Sequence, residues 1–483
     1  MYSQSEQQKM MIGGQWVGRA DGIAVRNPQN DRLICTVPKA TKEDVIQAVD
    51  AAKSGQKTMA KMPAHERKTI LFRAADFIEM RHEGYAKTIA EEGSKTIREA
   101  RKETSRCIET LRLSGEEAKR LHGETIRFDQ MPAGERKIGY YDRFPVGIVA
   151  AITPFNDPLN LVAHKVGPAI AAGNAVIVKP SSQTPLSALF LAEALFEAGL
   201  PKKALSVITG RGGEIGDVLA SHPAVRMLSF TGGLETGEHL HRQSGLKKIS
   251  MELGSNSPSI VLEDADLTFA ATQVTAGAFS AAGQNCIGVQ RVYVASSVYD
   301  AFRAQLIAKI KAIRFGDKMK ESTDMGPMIN EQEAKRVEAW VTEAVEGGAT
   351  ITYGGIRHGA FYAPTLLEHV PETSRLQREE VFGPVLLLES ITSLDEGIEK
   401  ANAVPFGLHA SVFTSSLDHG LQAAYELEAG GVMINDSTDF RIDAMPFGGI
   451  KGSGLGREGV RDAVEAMTEP KIVAFQIPKT REG

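Results

Sequence analysis

Cysteine is scarce in this chain: 483 residues hold three, Cys35, Cys107 and Cys286. Three scattered thiols exclude a disulfide framework and a cysteine metal cage, so no metal is expected. They fit a reducing compartment, where a lone thiol can act as a thiol. Runs of basic residues are also missing. With a net charge of -5 and a pI near 6.2, neither nucleic acid nor an anionic membrane is an expected partner. Lys, His, Gly or Pro breaks every apolar stretch well short of a spanning helix, and the opening MYSQSEQQKMM lacks an apolar signal core. The expected location is therefore cytoplasmic. Low-complexity linkers and short repeats are absent.

What is present is ordinary globular material, 42% hydrophobic and 24% charged, enough for two or three domains. From Thr41 to His122 apolar residues recur at helical spacing, with Thr41 placed as an N-cap and Asp44 three residues on. Around GYYDRFPVG, within 123–145, the pattern turns to short alternating pieces, the strands of a projecting hairpin. Then strand, turn and helix repeat through VGIVAAITPF, NAVIVKP, LSVITG and RMLSFTGG, which predicts a parallel, doubly wound sheet. From Met251 the rhythm restarts with SIVLE, RVYVA, VLLLES, ASVFT and GVMIN, a second α/β unit. The final KIVAFQI is one more strand, too distant in sequence for a local hairpin.

Several strand ends carry residues suited to chemistry. FTGGLETG follows a strand and opens a helix, where free N–H groups hold an anion, although its spacing is not the G-x-G-x-x-G of the usual dinucleotide loop. VKPSSQTP repeats that geometry, with Lys179 ending its strand; the alternative is a solvated surface lysine. ITPFNDP presents the amide of Asn156, which either bonds its own turn or serves a ligand. SMELGSNSP brings Glu252 to the junction of the two α/β halves, as a base or as half of a buried ion pair. AAGQNCIGVQ sets Cys286 among small residues that leave its sulfur open; the alternative is a small buried hydrophobe. Thiol, carboxylate, amide and dinucleotide-like half together meet the demands of oxidising a carbonyl through a covalent adduct.

Over nearly its whole length the chain resembles the aldehyde dehydrogenase superfamily. The motifs that carry the resemblance are ITPFNDP, VKPSSQTP, FTGGLETG, MELGSNSP, GQNCIGVQR, EEVFGPV, PFGLHASVF and MPFGGIKGSGLGREG. The resemblance implies two doubly wound α/β domains, a Rossmann-like cofactor domain (1–122 and 143–251) and a catalytic domain (252–466). A small β oligomerisation arm (123–142 and 467–483) would join copies into a homodimer or homotetramer. It implies Cys286 as nucleophile, Glu252 as the base for deacylation, and Asn156 as oxyanion donor beside the backbone N–H of Cys286. NAD or NADP would lie against Thr153, Pro154, Phe155, Lys179, Gly212, Phe230, Gly232 and Leu253, with Glu380 and Phe382 at the nicotinamide end. Ser182 stands where many NAD-preferring members place a ribose-binding Glu, so nothing there repels the additional phosphate of NADP. Gly233 replaces a frequent Ser, and Ser255 replaces the second Gly of the usual Glu-Leu-Gly-Gly.

The substrate mouth is expected to draw on Asp157, His164, Asn285, Arg441 and Phe447, a polar set. Arg441 either binds a substrate anion or pairs with Asp157 or Asp443. FRIDAMPFGG and GLGREGVRDAVEAMTEPK resemble the branch that acts on lactaldehyde, phosphonoacetaldehyde, sulfolactaldehyde and, without phosphorylation, glyceraldehyde phosphate. A small hydroxylated or anionic aldehyde such as lactaldehyde is therefore expected. The alternatives are a semialdehyde dehydrogenase, a CoA-acylating enzyme, which would not need Glu252, and a cysteine hydrolase using His164.

Overall fold

The computed structural model describes residues 7–478. The expected end of the arm, 479–483, lies outside the described residues, as do 1–6 of the expected cofactor domain.

Three mainly apolar strands, Ile148–Ile152, Ala175–Lys179 and Met227–Thr231, are buried at every residue. Such strands belong in a parallel sheet covered on both faces. They form the middle of an eight-stranded sheet whose parallel part runs Leu205–Val207, Ala175–Lys179, Ile148–Ile152, Met227–Thr231, Lys248–Glu252. The chain starts at Ile148–Ile152, winds outward one way, then returns to wind the other. The order therefore reverses between Ile148–Ile152 and Met227–Thr231, and ligands of such sheets bind beyond the strands' carboxyl ends at that point. Register aligns those ends: Ile152 pairs with Lys179 and with Phe230, and Thr231 pairs with Glu252.

Residues 253–256 lead directly into the strand Ser257–Val261 of a seven-stranded sheet. Its parallel strands run Thr365–Glu368, Val385–Ile391, Val289–Ala295, Ser257–Val261, His409–Phe413, Gly431–Ile434. The carboxyl edge of the first sheet thus leads into the amino edge of the second. Cys286 lies just before the strand Val289–Ala295, at that amino edge.

The helical layer consists of Lys42–Lys61, Ala64–Met80, His82–Glu92 and Ile97–Arg120. Thr41 and Asp44 close a reciprocal capping box on the first, and Thr96 and Glu99 do the same on the last. The terminal strand Thr468–Gln476 lies antiparallel along Lys137–Pro145, from Thr468 opposite Pro145 to Gln476 opposite Lys137, and Glu124–Ile126 completes a separate three-stranded sheet.

Two pieces cross the divisions drawn from sequence. The strand Lys137–Pro145 runs past residue 142. Near the C-terminus, Gly454–Leu455 pairs with Met251 and Glu252 of the first sheet, and Val460 and Val464 join that sheet's core. No helix among the described residues is long and apolar enough to cross a membrane.

Candidate active site

The segment that delivers Cys286 is tightly specified. After the helix Leu267–Phe279 the chain turns through Ala281, Ala282 and Gly283, all with positive φ, and Gly288 N–H then closes a turn on the carbonyl of Asn285 at 3.0 Å. Thr438 Oγ1 donates to the carbonyl of Ile287 at 2.6 Å, and Ile287 N–H donates to Asn285 Oδ1 at 3.3 Å. The backbone N–H of Cys286 has no acceptor among the described residues. Its sulfur is half-buried, with Met445 against the cluster of Ile287, Leu408 and Phe447. Burial pushes the thiol up to about 12; Arg441 pulls it down, while Glu380, Glu252 and Glu458 push it further up.

Glu252 ends the strand Lys248–Glu252, is 2% exposed, and neither of its oxygens has a hydrogen-bond partner among the described residues. It is therefore not half of an ion pair. Burial raises its proton affinity well above the usual carboxylate range, and the charge of Glu458 adds to that. Asn156, half-buried in the loop after the strand Ile148–Ile152, makes no amide hydrogen bond to another described residue, so its side chain does not serve its own turn.

Arg441 pairs with neither of the aspartates expected for it. Its Nη2 donates to Glu458 Oε2 at 3.2 Å, its guanidinium lies 3.7 Å from the centre of the Phe447 ring, and its Nε has no partner. Asp157 and Asp443 are taken by other cations. Lys95 contacts Asp157, and Arg106 reaches Asp157 at 3.7 Å and Asp443 at 2.8 Å. His164 is fully buried rather than lining a pocket: its Nε2 bonds Asp443 at 2.8 Å and stands 3.5 Å from Arg441 Nη2. Glu458 also accepts from the buried Lys165 at 2.8 Å, and these cations hold its carboxyl down at about 2. Phe447 is buried edge-to-face against His409, with centroids 5.2 Å apart.

Along the first sheet's carboxyl edge the residues fit a dinucleotide. Lys179 is 6% exposed, has no ion-pair partner among the described residues, and is pulled down to about 8 by burial. A buried ammonium left unpaired calls for a polar or anionic ligand. Its Nζ lies 3.9 Å from where a Cβ on Gly212 would be, at the start of the helix Gly212–Ser221. Gly233 is the N-cap of the helix Leu234–Ser244, has no capping side chain, and has nothing within 4 Å of the position a Cβ would occupy, so that helix end stays open. Gly232 packs against the Phe230 ring, and Leu253 against Gly237. Ser182 and Pro154 are half-buried on the same edge.

From the second unit, Glu380 accepts Ser255 N–H at 2.9 Å and is raised to about 7 by burial. The Ser255 hydroxyl is met by Ser257 Oγ at 3.0 Å, which accounts for a serine there. Phe382, at φ 47°, meets the Phe155 ring edge-to-face at 5.7 Å.

Sequence reasoning missed Thr153 and Thr231 as a pair: both hydroxyls are buried, unpartnered, and stand at the strand ends flanking the reversal of winding. It also missed Glu458 and Lys165. The signal for Lys165 was present, because a lysine in the mainly apolar helix Asn160–Ala171, buried at every residue, demands a buried partner.

The family model for the aldehyde dehydrogenase family matches residues 16–473. The chain belongs to the aldehyde dehydrogenase family. It is an oxidoreductase acting on the aldehyde group. It is 48% identical to aspartate-semialdehyde dehydrogenase 1 of Pseudomonas canavaninivorans over 94% of this chain and 97% of that protein. It is 45% identical to 3-sulfolactaldehyde dehydrogenase of Priestia megaterium over 98% and 99%. The NADP-dependent glyceraldehyde-3-phosphate dehydrogenase of Bacillus halodurans, solved with NADP, superposes with a TM-score of 0.95 at 37% identity, covering 98% of this chain and all of that one (100%). The 3-sulfolactaldehyde and glyceraldehyde-3-phosphate dehydrogenases belong to the branch expected from the C-terminal motifs, and the aspartate-semialdehyde dehydrogenase carries the name of the semialdehyde alternative.

Proposed function

We propose that this aldehyde dehydrogenase oxidises a small anionic or hydroxylated aldehyde to its carboxylic acid, with NAD or NADP held along the first sheet's carboxyl edge by Lys179, Gly212, Gly232, Gly233, Phe155, Glu380 and Phe382. The observation that carries the substrate class is Arg441, a buried guanidinium with an unpartnered Nε whose charge acts directly on the Cys286 thiol.

Cys286 gives up its thiol proton to water as Sγ adds to the aldehyde carbon, and the carbonyl oxygen becomes an oxyanion. The free amide of Asn156 and the free N–H of Cys286 stabilise it. A bound nicotinamide dinucleotide supplies acceptance of the hydride from that carbon. Glu252 then takes a proton from the water that attacks the resulting thioester; the carbon–sulfur bond breaks, the acid leaves, and Cys286 regains its proton. A carboxyl whose proton affinity burial has raised suits that task. Asp157, tied to Lys95 and Arg106, fixes the loop that carries Asn156. The arm sheet, with apolar Ile472 and Phe475 exposed, supports a homodimer or homotetramer.

The test is a panel of small aldehydes with each dinucleotide and no coenzyme A, followed by absorbance of the reduced cofactor. Cys286→Ala is expected to abolish turnover while dinucleotide affinity persists, and Glu252→Gln to give one burst of reduced cofactor and a stalled acyl-enzyme. Retained turnover in Cys286→Ala, or a strict need for coenzyme A, rejects the proposal.

A further inference from the structure

Ala281 (φ 49°, ψ 34°) and Ala282 (φ 56°, ψ 39°) both adopt the left-handed helical conformation, and Gly283 follows at φ 68°. Glycine is required at the third position, where a Cβ would fall 2.1 Å from the carbonyl oxygen of Gly383. The two alanines have no such freedom. In the left-handed region an alanine Cβ crowds the following carbonyl, and alanine lacks the short polar side chain by which Asn or Asp relieves that conformation locally. Something outside the turn has to hold it.

Glu99 does so. Its Oε1 accepts the N–H of Ala281 at 2.8 Å and the hydroxyl of Ser280 at 3.3 Å. Its Oε2 accepts the N–H of Thr96 at 2.8 Å and the Thr96 hydroxyl at 2.9 Å. No lysine, arginine or histidine among the described residues pairs with it. One carboxylate therefore caps the helix Ile97–Arg120 with one oxygen and anchors the left-handed turn with the other. Gln284 continues the brace, donating from Nε2 to the carbonyl of Ala281 at 2.9 Å and accepting Ile329 N–H at Oε1, also at 2.9 Å. Cys286 follows two residues later.

We infer that Glu99 is a positioning residue for the Cys286 sulfur, acting through the left-handed turn at 281–283. The inference rests on Cys286 being the nucleophile. Without the anchor, Ala281 and Ala282 relax toward the right-handed conformation of the preceding helix, and the sulfur leaves its place.

The chain itself supplies the variant that separates this role from helix capping. The helix Lys42–Lys61 has the same capping box with Asp44 at the position Glu99 occupies, so an aspartate caps adequately there. Glu99→Asp keeps charge and cap but is one methylene too short to reach Ala281. The readouts are the iodoacetamide alkylation rate of Cys286, followed by peptide mass spectrometry, together with kcat, dinucleotide Kd and Tm. Cys35 and Cys107, at 1% and 0% exposure, do not compete for the reagent.

Alkylation rate and kcat are expected to fall together in Glu99→Asp, by up to about 100-fold for a displacement near 1 Å, with Kd and Tm close to wild type. Adding Ala281→Gly removes the penalty of the left-handed conformation and is expected to recover about tenfold. Thr96→Ala, which weakens only the cap, is expected to lower Tm and leave alkylation unchanged. Equal alkylation of Glu99→Asp and wild type overturns the inference, and so does a loss that Ala281→Gly fails to restore. Either result stands apart from failure of the nucleophile assignment, which would appear as turnover in Cys286→Ala.

Discussion

Glu252 and Glu458 are two buried carboxyls driven in opposite directions. Lys165 and Arg441 hold the Glu458 carboxyl down at about 2, and the resulting negative charge adds to burial in raising the proton affinity of Glu252, which has no hydrogen bond among the described residues to offset it. A base must be ionised to act, so activity is lost as pH falls through the raised pKa of Glu252. Glu458→Gln removes the opposing charge and leaves Lys165 and Arg441 facing Glu252. The acid limb of kcat is expected to move to lower pH in that variant, as read from initial rates across a pH series. An unmoved limb would mean that a group other than Glu252 limits the reaction on the acid side.

Arg441 offers a second test, because its one ion-pair partner leaves most of its donors available. Hydrogen bonds to a charged group contribute about 1.5–3 kcal/mol. Arg441→Ala is therefore expected to raise KM about 10- to 100-fold for aldehydes bearing a carboxylate, sulfonate or phosphate, and by a few-fold at most for neutral hydroxyaldehydes. Phe447 loses its stacked guanidinium in either case, so the neutral substrates serve as the internal control. Equal effects on both classes would make Arg441 a structural partner of Glu458 and no more.

How much of this was legible in the sequence follows from where each residue sits. Cys286, Glu252, Asn156 and Lys179 stand at strand ends or in the loops beside them, and a short apolar, β-branched run bounded by a turn marks such places plainly. The partners of Arg441 were not legible. Asp157 and Asp443 are as plausible as Glu458 on sequence, and the choice depends on Arg106, which lies on a helix more than 300 residues away in the chain and occupies both aspartates. His164 had the same fate: a histidine in a helix can face a pocket or the core, and here Asp443 and Thr110 enclose it. Gly454–Leu455 returns to the first sheet for a similar reason, since two residues make too short a strand for periodicity to assign.

On the proposed function, the choice between NAD and NADP turns on Lys179 and Ser182. Lys179 is a buried cation without a carboxylate to neutralise it, and the half-buried Ser182 adds no negative charge beside it. Ser182→Glu would place a carboxylate on that edge, able to accept from a ribose diol and to repel a phosphate. Affinity for NADP is expected to fall by at least about tenfold relative to NAD, about 1.4 kcal/mol, in a fluorescence titration with each dinucleotide. Lys179→Met is expected to weaken both. Unchanged NADP affinity in Ser182→Glu would place the adenosine ribose away from this edge.

The arm provides the last prediction. Thr468–Gln476 is the outer strand of its three-stranded sheet and leaves one edge unpaired, as does Gly431–Ile434 in the seven-stranded sheet. Unpaired edges with apolar side chains are templates for association. On the first, Ile472 is 66% and Phe475 52% exposed; on the second, Ile434 is 45% exposed. A monomer leaving all three in water would expose apolar surface without compensation, whereas a copy of the same chain covers it by symmetry. Replacing Ile472 and Phe475 together by Asp is expected to shift sedimentation equilibrium toward monomer, weakening association by at least about tenfold. Cys286, in the loop before the strand Val289–Ala295 and off the arm, should remain alkylatable in that monomer. An unchanged oligomer would show that the copies meet elsewhere, and a monomeric wild type would remove the arm's proposed role.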